Sequence, residues 1–435
     1  MMIRTALLLM ALALPARAEI AIQSVTSPGG ITAWLVESHD IPFTALEIRF
    51  RGGTSLDSPG KRGAVNLMTA LIEEGAGDLD AQGFAAARDG LAAQFRFSSN
   101  SDDVGVSARF LTENRDQALA LLRSALIEPR FDPDAVERVR GQVLTNLRGD
   151  EKDGSAIADR LMAARNFGDH PYGSSGDGTT SSVNALTRDD IVAAHAGALV
   201  RDRIYVAAAG DITVAELGVL LDDLLGALPA NGASLPGRAT LDEKGGLVVS
   251  DLPGPQSVVQ FTQKGIKFED PDYFPVVILN EILGGGRFGA RLMTEVREKR
   301  GLTYGIGTGL ASMDHSEWLV GQFESANGKV AEAIDVVRAE WARMAATGVT
   351  ADELDKAKRF LTGSYPLRFD GNAQIAGILV GMQMVGLAPD YPATRNARVE
   401  AVTLADVQRV AVSFFTPEDL FFVVVGQPEG VVATE

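Results

Sequence analysis

The sequence predicts an α+β protein made of two homologous modules of about 215 residues each. Each module is expected to be a mixed or antiparallel sheet with helices packed on one face. Three observations lead to this fold class: a pair of apolar strands that each end in glycine, a pair of acidic helix starts, and a segment rich in proline and glycine between the two halves. Two such modules joined by a flexible hinge would form a clamshell.

The two apolar strands lie at equivalent places in the two halves. Residues 204–210 read IYVAAAG and residues 420–426 read LFFVVVG, and their closing glycines are 216 positions apart (426 minus 210). Each strand follows a segment with helical character, at 189–198 and 404–414. A chance similarity of short apolar strands is the alternative to a duplication.

The acidic helix starts repeat at nearly the same distance. DPDAVER begins at Asp132 and TADELDK begins at Thr350, an offset of 218 positions (350 minus 132). Each precedes a long amphipathic segment, as is typical of a helix beginning. Because two independent features share almost one offset, a duplicated module is favoured over chance.

The composition between the halves predicts the domain boundaries. Residues 228–238 read LPANGASLPGR, a mixture of proline, glycine and small polar residues that is typical of a linker. We therefore expect a first module at 19–228, a linker at 229–244 and a second module at 245–435.

The first 18 residues have the three parts of a secretory signal peptide. Arg4 supplies the positive start, residues 6–14 are apolar, and residues 16–18 form a small-x-small cleavage site. The apolar run is shorter than the roughly 20 residues that span a bilayer, although a retained anchor or a buried helix is the alternative. We expect cleavage after Ala18, a mature chain of 417 residues (435 minus 18) without a membrane span, and a periplasmic location.

Composition excludes several classes of function. The chain has no cysteine, which rules out disulfides, thiol chemistry, thiolate metal sites and a lipid anchor on cysteine. The formal net charge of −17 would repel phosphate backbones, so we expect no nucleic-acid partner. Solubility is the simplest explanation of this acidity.

Three segments resemble the insulinase and pitrilysin family of zinc peptidases. They are GAVNLMTALI at 63–72, whose apolar residues have helical spacing, HPYG at 170–173, and RLMTEVREKRGLTYG at 291–305. The resemblance covers nearly the whole mature chain. It implies paired α+β modules that enclose a chamber, so that this chain would form half of a clamshell.

The resemblance also identifies the positions at which active members bind zinc. Those members carry H-x-x-E-H on the first of the three segments, where two histidines on one helix face reach the metal and the glutamate activates water. Here the matching residues are Asn66, Thr69 and Ala70, and the slot of the third ligand on a later helix is Asn146. None of these side chains is a suitable zinc ligand.

Other side chains do not replace this ligand set. The closest two histidines along the chain, His170 and His195, are 25 residues apart (195 minus 170). Glu73 and Glu74 follow the helix motif, but they are better explained as a solvated helix end. We therefore expect this chain to bind no cofactor or metal and any catalytic zinc to lie on a partner subunit.

A glycine cluster in the second half spells the dinucleotide-binding pattern G-x-G-x-x-G. A nucleotide turn should follow a strand, whereas the residues before Gly284 have helical spacing, so this lone motif is weak support for nucleotide binding. Instead, we expect Gly284, Gly285 and Gly286 to end a helix and to line a groove that a peptide backbone can approach. An ordinary turn between helices is the alternative.

The segment after these glycines carries two candidate substrate-binding residues. Residues 288–300 are predicted to form a helix that ends at Gly301, so that Arg297 and Tyr304 flank a tight turn and can point to one location. The family resemblance implies that the matching arginine and tyrosine bind the substrate backbone and the developing oxyanion. The alternatives are that Arg297 balances a helix C-terminus and that Tyr304 is a half-buried strand aromatic.

The zinc positions are thus replaced while the substrate-binding pair is present. This asymmetry resembles the second chain of bacterial family members that work as two separate chains. The resemblance implies a non-catalytic subunit for periplasmic proteolysis, with a catalytic partner that carries H-x-x-E-H and an extended peptide as substrate. A peptide-binding or scaffold protein of the cell envelope is the alternative.

Overall fold

The computed structural model describes residues 20–434, and the predicted signal peptide at 1–18 lies outside them. The predicted α+β fold class is confirmed, because sheets and many helices alternate through both halves. The first half contains, in chain order, β1 (Gln23–Thr26), β2 (Thr32–Glu37), β3 (Phe43–Arg51), α1 (Ala64–Leu71), β4 (Gly75–Ala76), β5 (Leu79–Asp80), α2 (Ala81–Gly90), β6 (Gln94–Ser99), β7 (Asp103–Leu111), α3 (Arg115–Ile127), α4 (Pro133–Asp150), α5 (Gly154–Phe167), α6 (Thr180–Ala185), α7 (Arg188–Ala198), β8 (Ile204–Gly210) and α8 (Val214–Leu225).

The second half repeats most of this order. It contains β9 (Gly246–Ser250), β10 (Gln256–Lys264), α9 (Tyr273–Gly284), a π-helix (Met293–Glu298), β11 (Ile306–Ser312), β12 (Glu317–Ala326), α10 (Val330–Thr347), α11 (Ala351–Ser364), α12 (Asn372–Met384), α13 (Tyr391–Ala401), α14 (Leu404–Phe414) and β13 (Phe421–Val425).

The two main sheets have the same strand order. Within the described residues the first sheet runs β1-β2-β8-β3-β7-β6 and the second runs β9-β13-β10-β12-β11. Apart from the additional β1, each position in one sheet has its counterpart in the other. The pairs β2–β8 and β9–β13 are parallel and the other pairs are antiparallel, so both sheets are mixed. In this order β6 and β11 are equivalent edge strands.

The two apolar segments noted in the sequence are the strands β8 and β13 inside these sheets. Their closing glycines, Gly210 and Gly426, have φ angles of 120° and 148°. A Cβ atom at Gly210 would meet the carbonyl oxygen of Phe43, and one at Gly426 would meet Ser257. Glycine is therefore required where each strand leaves its sheet.

Each sheet packs one face against helices of its own module, and these two interfaces are the largest apolar cores. The opposite face of each sheet is covered by a helix from the other module: α5 lies on β10 and β13, and α12 lies on β8 and β3. The first residues of these helices are 218 positions apart (372 minus 154), which matches the repeat offset. The buried side chains at these two contacts are Ala158, Met162, Phe421, Val423 and Val425 for α5, and Trp34, Ala207, Leu379 and Val380 for α12.

The segment predicted as a linker makes hydrogen bonds to both modules. The Ala233 amide donates to Gly197 at 3.1 Å, and the Ala239 amide donates to the carbonyl of His315 at 2.8 Å. The amide of Asp242 donates to Asn166 at 3.0 Å. The segment thus runs along the junction of the modules and is held there. Within residues 20–434, the structure contains no helix that is both long and apolar enough to cross a membrane.

Candidate functional site

The structure brings three of the four replaced zinc positions together. Asn66 and Ala70 on α1 and Asn146 on α4 line one cavity of about 840 Å³. The side-chain oxygen of Asn66 accepts a hydrogen bond from the Ser99 hydroxyl at 3.4 Å. Thr69 is buried, and its hydroxyl donates to the backbone oxygen of Val65 at 2.8 Å, so the hydrogen-bonding partner of this hydroxyl lies within α1.

Carboxylates at the rim of this cavity have cationic partners. Glu73 pairs with Arg88 at 2.8 Å and Glu74 pairs with Arg138 at 2.5 Å. Burial raises the pKa of Glu73. The prediction that these two glutamates form a solvated helix end is therefore wrong, because both are half-buried and ion-paired.

The donor atoms in this cavity do not fit a zinc ion. Amide side chains and an alanine stand where zinc requires imidazole or carboxylate ligands. Across residues 20–434, no three side chains of histidine, cysteine, aspartate or glutamate lie close enough together to hold a metal ion.

Gly284 is the last residue of α9 and Gly285 and Gly286 follow it directly, so the element before the glycines is a helix and not a strand. A Cβ atom at Gly284 would meet the Thr308 side chain, and one at Gly285 would meet the preceding turn at Glu281. Gly286 has a φ angle of +79°, which disfavours other residues. The helix–glycine arrangement excludes a dinucleotide turn of the usual strand–glycine–helix type.

The prediction of a regular helix over residues 288–300 is wrong, because part of this segment is a different type of helix. The segment Met293–Glu298 is π-helical, and the Lys299 amide donates to the carbonyl of Thr294, five residues earlier, at 3.0 Å. A π-turn contains one more residue than an α-turn and therefore changes the direction of the side chains that follow it. Hydrophobic spacing over six residues does not distinguish a π-helix from an α-helix. Val296 in this segment is buried.

Arg297 lies in this π-helix and has no carboxylate within ion-pair distance among the described residues. Its guanidinium carbon lies 4.9 Å from the ring centroid of Phe288. By contrast, the neighbouring Lys299 and Arg300 both pair with Glu295. Phe288 was missed by the sequence analysis, and its position directly after the glycines was the available signal. The stacked guanidinium keeps its donors available for another acceptor.

Tyr304 is 89% exposed, which contradicts the alternative of a half-buried strand aromatic. The hydroxyl of Thr303, which the sequence analysis also missed, donates to the carbonyl of Glu324 at 2.6 Å and so fixes the turn that carries Tyr304. Gly301, with a φ angle of +61°, begins this turn as predicted. The exposed ring is thus held on a turn with fixed backbone contacts.

Tyr304 stands between two neighbouring cavities. One, of about 640 Å³, is lined by Gly284, Gly285 and Gly286, and the other, of about 600 Å³, is lined by Arg297. The structure therefore places the predicted glycines, the tyrosine and the arginine around one groove. Among the described residues, none lines both this groove and the cavity at Asn66.

The chain is similar to known proteins along most of its length. A family model described as "Peptidase M16 inactive domain" matches residues 185–361. A protein of Helicobacter pylori named non-peptidase homolog YmxG is 26% identical over 390 residues, which cover 89% of this chain and 90% of that protein. The crystal structure of a peptidase M16 inactive domain from Pseudomonas fluorescens is 29% identical, covers 95% of this chain and 99% of that one, and superposes with a TM-score of 0.88.

The chain is similar to M16 peptidases and to inactive members of that family along most of its length. The predicted resemblance to the insulinase and pitrilysin family is therefore confirmed. The descriptions "inactive domain" and "non-peptidase homolog" also support an inactive member of a peptidase family, as the replaced zinc positions predict.

A further relative of this chain is named as one subunit of an enzyme. It is the probable mitochondrial-processing peptidase subunit beta of Schizosaccharomyces pombe, which is 22% identical over 425 residues, covering 94% of this chain and 92% of that protein.

Proposed function

We propose that this chain is the non-catalytic subunit of a zinc metalloendopeptidase that consists of two different chains. It would complete the peptide-binding chamber and supply Arg297 and Tyr304, while the partner would supply zinc and the glutamate of H-x-x-E-H. The predicted signal peptide supports a periplasmic location for this complex.

One observation carries the proposal: the two modules differ in what their equivalent regions can bind. In the first module, Asn66, Ala70 and Asn146 meet in one cavity but offer a metal no suitable ligand set. In the second module, Tyr304 and Arg297 line one groove, and within residues 20–434 no charged side chain forms an ion pair or hydrogen bond with either of them. An exposed aromatic ring and an arginine without an ion pair contribute little to the stability of the fold, which favours a role in binding.

The groove can accept an extended peptide. It runs beside β11, an edge strand whose outer backbone groups have no neighbouring strand in the second sheet. An edge of this kind can pair with a peptide backbone through main-chain hydrogen bonds. The glycines at 284–286 border the same cavity and leave space for a backbone to approach.

The replaced zinc positions support the need for a partner chain. A tyrosine hydroxyl can stabilise an oxyanion only when a reacting carbonyl lies about 3 Å away. Such a carbonyl would be activated by a metal that the first-module cavity is not equipped to hold. The relative named as a processing-peptidase subunit supports assembly from more than one chain.

The proposal is tested by Tyr304→Phe in the assembled peptidase. Loss of one oxyanion donor typically lowers turnover about 100- to 1000-fold, and the complex should still assemble because Tyr304 is exposed. Steady-state peptide cleavage and size-exclusion chromatography measure the two effects. Tyr205→Phe, on a strand of the first sheet, is the control that removes a hydroxyl elsewhere. Unchanged turnover of the Tyr304→Phe complex would contradict the assigned role.

Co-purification distinguishes this proposal from a peptide-binding or scaffold protein of the cell envelope. The proposed subunit should be isolated with a chain of similar length that carries H-x-x-E-H, and cleavage should require the mixture. A scaffold protein would bind peptides without such a partner and without cleavage in any mixture.

A further inference from the structure

Residues of β11 and β12 form the floor of the groove beside Tyr304, and we call this floor the trough. On β11 and β12, Gly307 pairs with Gln322 and Gly309 pairs with Val320 across the strands. Glu324 is the next residue on the same face of β12, one position beyond Phe323. Glycines on the edge strand thus leave the β12 side chains open to an approach from the sheet edge.

Glu324 is the acidic side chain of this trough. Its neighbours Phe323 and Ser325 are both buried, so alternation along the strand directs Glu324 to the opposite, exposed face. It lines both cavities that meet at Tyr304. Its backbone carbonyl accepts the Thr303 hydroxyl at 2.6 Å, which fixes the root of the side chain beside the turn.

The carboxylate of Glu324 has no hydrogen-bond or ion-pair partner among residues 20–434. By contrast, Glu281 and Glu295, which line neither of these two cavities, pair with Arg287 and Lys299. An unpaired carboxylate inside a groove attracts a cation more strongly than one on open surface, because a bound ligand displaces the water that screens it.

We propose that Glu324 selects a peptide with a lysine or arginine side chain close to the residue that Tyr304 contacts. This inference rests on the proposed function and adds a substrate class to it. A peptide strand beside β11 would lie two strand spacings, or roughly 10 Å, from β12. A lysine or arginine directed over the glycines can bridge that distance together with the glutamate, and arginine can do so through two hydrogen bonds.

Glu324 lines both cavities, whereas Arg297 lines only the one away from the glycines, so the two ends of the groove differ in charge. An acidic peptide side chain near Glu324 would be repelled by its carboxylate. A basic peptide side chain near Arg297 would be repelled by its guanidinium. Repulsion of this kind contributes to specificity as much as attraction does. The basic residue of the peptide is therefore expected on the glycine side of Tyr304.

The test measures binding of the full-length mature chain to three fluorescein-labelled, alanine- and threonine-rich decapeptides that differ in one central residue. That residue is lysine, norleucine or glutamate, and the readout is fluorescence anisotropy. The wild-type chain should bind the lysine peptide at least about tenfold more tightly than the norleucine peptide. Glu324→Gln should remove this difference while leaving the affinity for the norleucine peptide unchanged.

Glu332→Gln is the matched control, because Glu332 is exposed on α10 and its substitution changes the net charge by the same amount. This variant should retain the preference for lysine. Equal binding of the lysine and norleucine peptides by the wild type, or a preference that survives Glu324→Gln, would overturn the assignment of Glu324 and leave the peptide-binding role intact. If none of the three peptides binds the mature chain, the assignment of Glu324 is also overturned, whereas the proposed function is judged on cleavage by the assembled complex.

Discussion

At the scale of single residues, the HPYG segment joins the two modules. The Tyr172 hydroxyl donates to Asp102 of the first module and accepts the backbone amide of His315 of the second at 3.0 Å. His170 lies beside it, and its ring nitrogen Nε2 donates to the carbonyl oxygen of Gly237 at 3.0 Å. Because that oxygen can only accept, the nitrogen carries the proton. The sequence resemblance identified this motif without its role, since its contacts come from segments distant in the chain.

Asp314 in the same junction makes stability depend on pH. Burial raises the pKa of this carboxyl to about 6, with Asp102 and Asp103 acting in the same direction and the Arg51 guanidinium, 2.8 Å away, opposing them. Burial lowers the pKa of the adjacent His315. The remaining charged groups that face this pair are His170 and Arg238.

Asp314→Asn is therefore expected to change the pH profile of unfolding. Between about pH 6 and pH 4 the folded chain binds a proton at Asp314 that the unfolded chain does not bind. The free energy of unfolding therefore rises as the pH falls through that window. Above pH 6 the buried, charged carboxylate lowers the free energy of unfolding. The variant should lose this contribution, of about 2 kcal/mol, in urea unfolding at pH 4.5 relative to pH 7.

The exposed Asp335→Asn is the control for this profile, and its curve should follow the wild type. His315 contributes a slope of the opposite sign, because its lowered pKa destabilises the fold at acidic pH, and it is present in all three proteins. Parallel profiles for wild type and Asp314→Asn would show that Asp314 does not titrate with a raised pKa.

At the scale of elements, much of the fold follows from local sequence patterns. The acidic starts predict where α4 and α11 begin, and the apolar spacing and closing glycines predict α14 and the strands β8 and β13 close to their observed bounds. The exchange of α5 and α12 between the modules has no such signal. Periodicity indicates that a helix has a buried face, but it does not identify the sheet that buries it.

The site residues also divide into those that local sequence predicts and those that depend on contacts between distant segments. Spacing from a known motif predicts Asn66, Ala70 and Asn146, and the packing of α1 against α4 then brings them together. The π-helix around Arg297 was not predictable, because it depends on hydrogen-bond register rather than on which residues are apolar. Glu324 was also missed, since it becomes a groove residue only when β11 and β12 pair.

If side chains alone account for the lost metal site, restoring them should restore binding. The triple variant Asn66→His, Ala70→His and Asn146→Glu places two imidazoles one helical turn apart on α1 and a carboxylate opposite them on α4. We expect it to retain about one zinc ion per chain after dialysis, measured by atomic emission, because three protein ligands and a water complete a tetrahedral site.

The double variant without Asn146→Glu is the matched comparison and should retain much less zinc, since two ligands bind this metal weakly. Circular dichroism would establish that both variants are folded. A folded triple variant that retains no more zinc than the wild type would mean that the backbone of this cavity has also departed from a metal-binding geometry.

At the scale of the whole molecule, the exchanged helices make each module depend on the other. Without α12, the buried Trp34 and Ala207 of the first sheet would lose their cover, and without α5 the same would hold for Phe421 and Val423 of the second. Each exchanged helix also makes a polar contact with its sheet, from Gln383 to the Val206 carbonyl at 2.8 Å and from Gln260 to Asp159 at 2.6 Å. The duplicated modules are thus one body rather than two domains on a free hinge.

We therefore expect one cooperative unfolding transition for the whole chain in scanning calorimetry. Met162→Ala on α5 and Leu379→Ala on α12 each leave a cavity at a contact between modules, at a cost of about 2–5 kcal/mol in the free energy of unfolding. Although the two residues belong to different modules, both substitutions should lower the midpoint of the same transition. Val412→Ala, on an exposed face of α14, should change the midpoint little. Two separate transitions, each sensitive to only one of the core variants, would show that the modules fold independently and that the exchanged helices do not couple them.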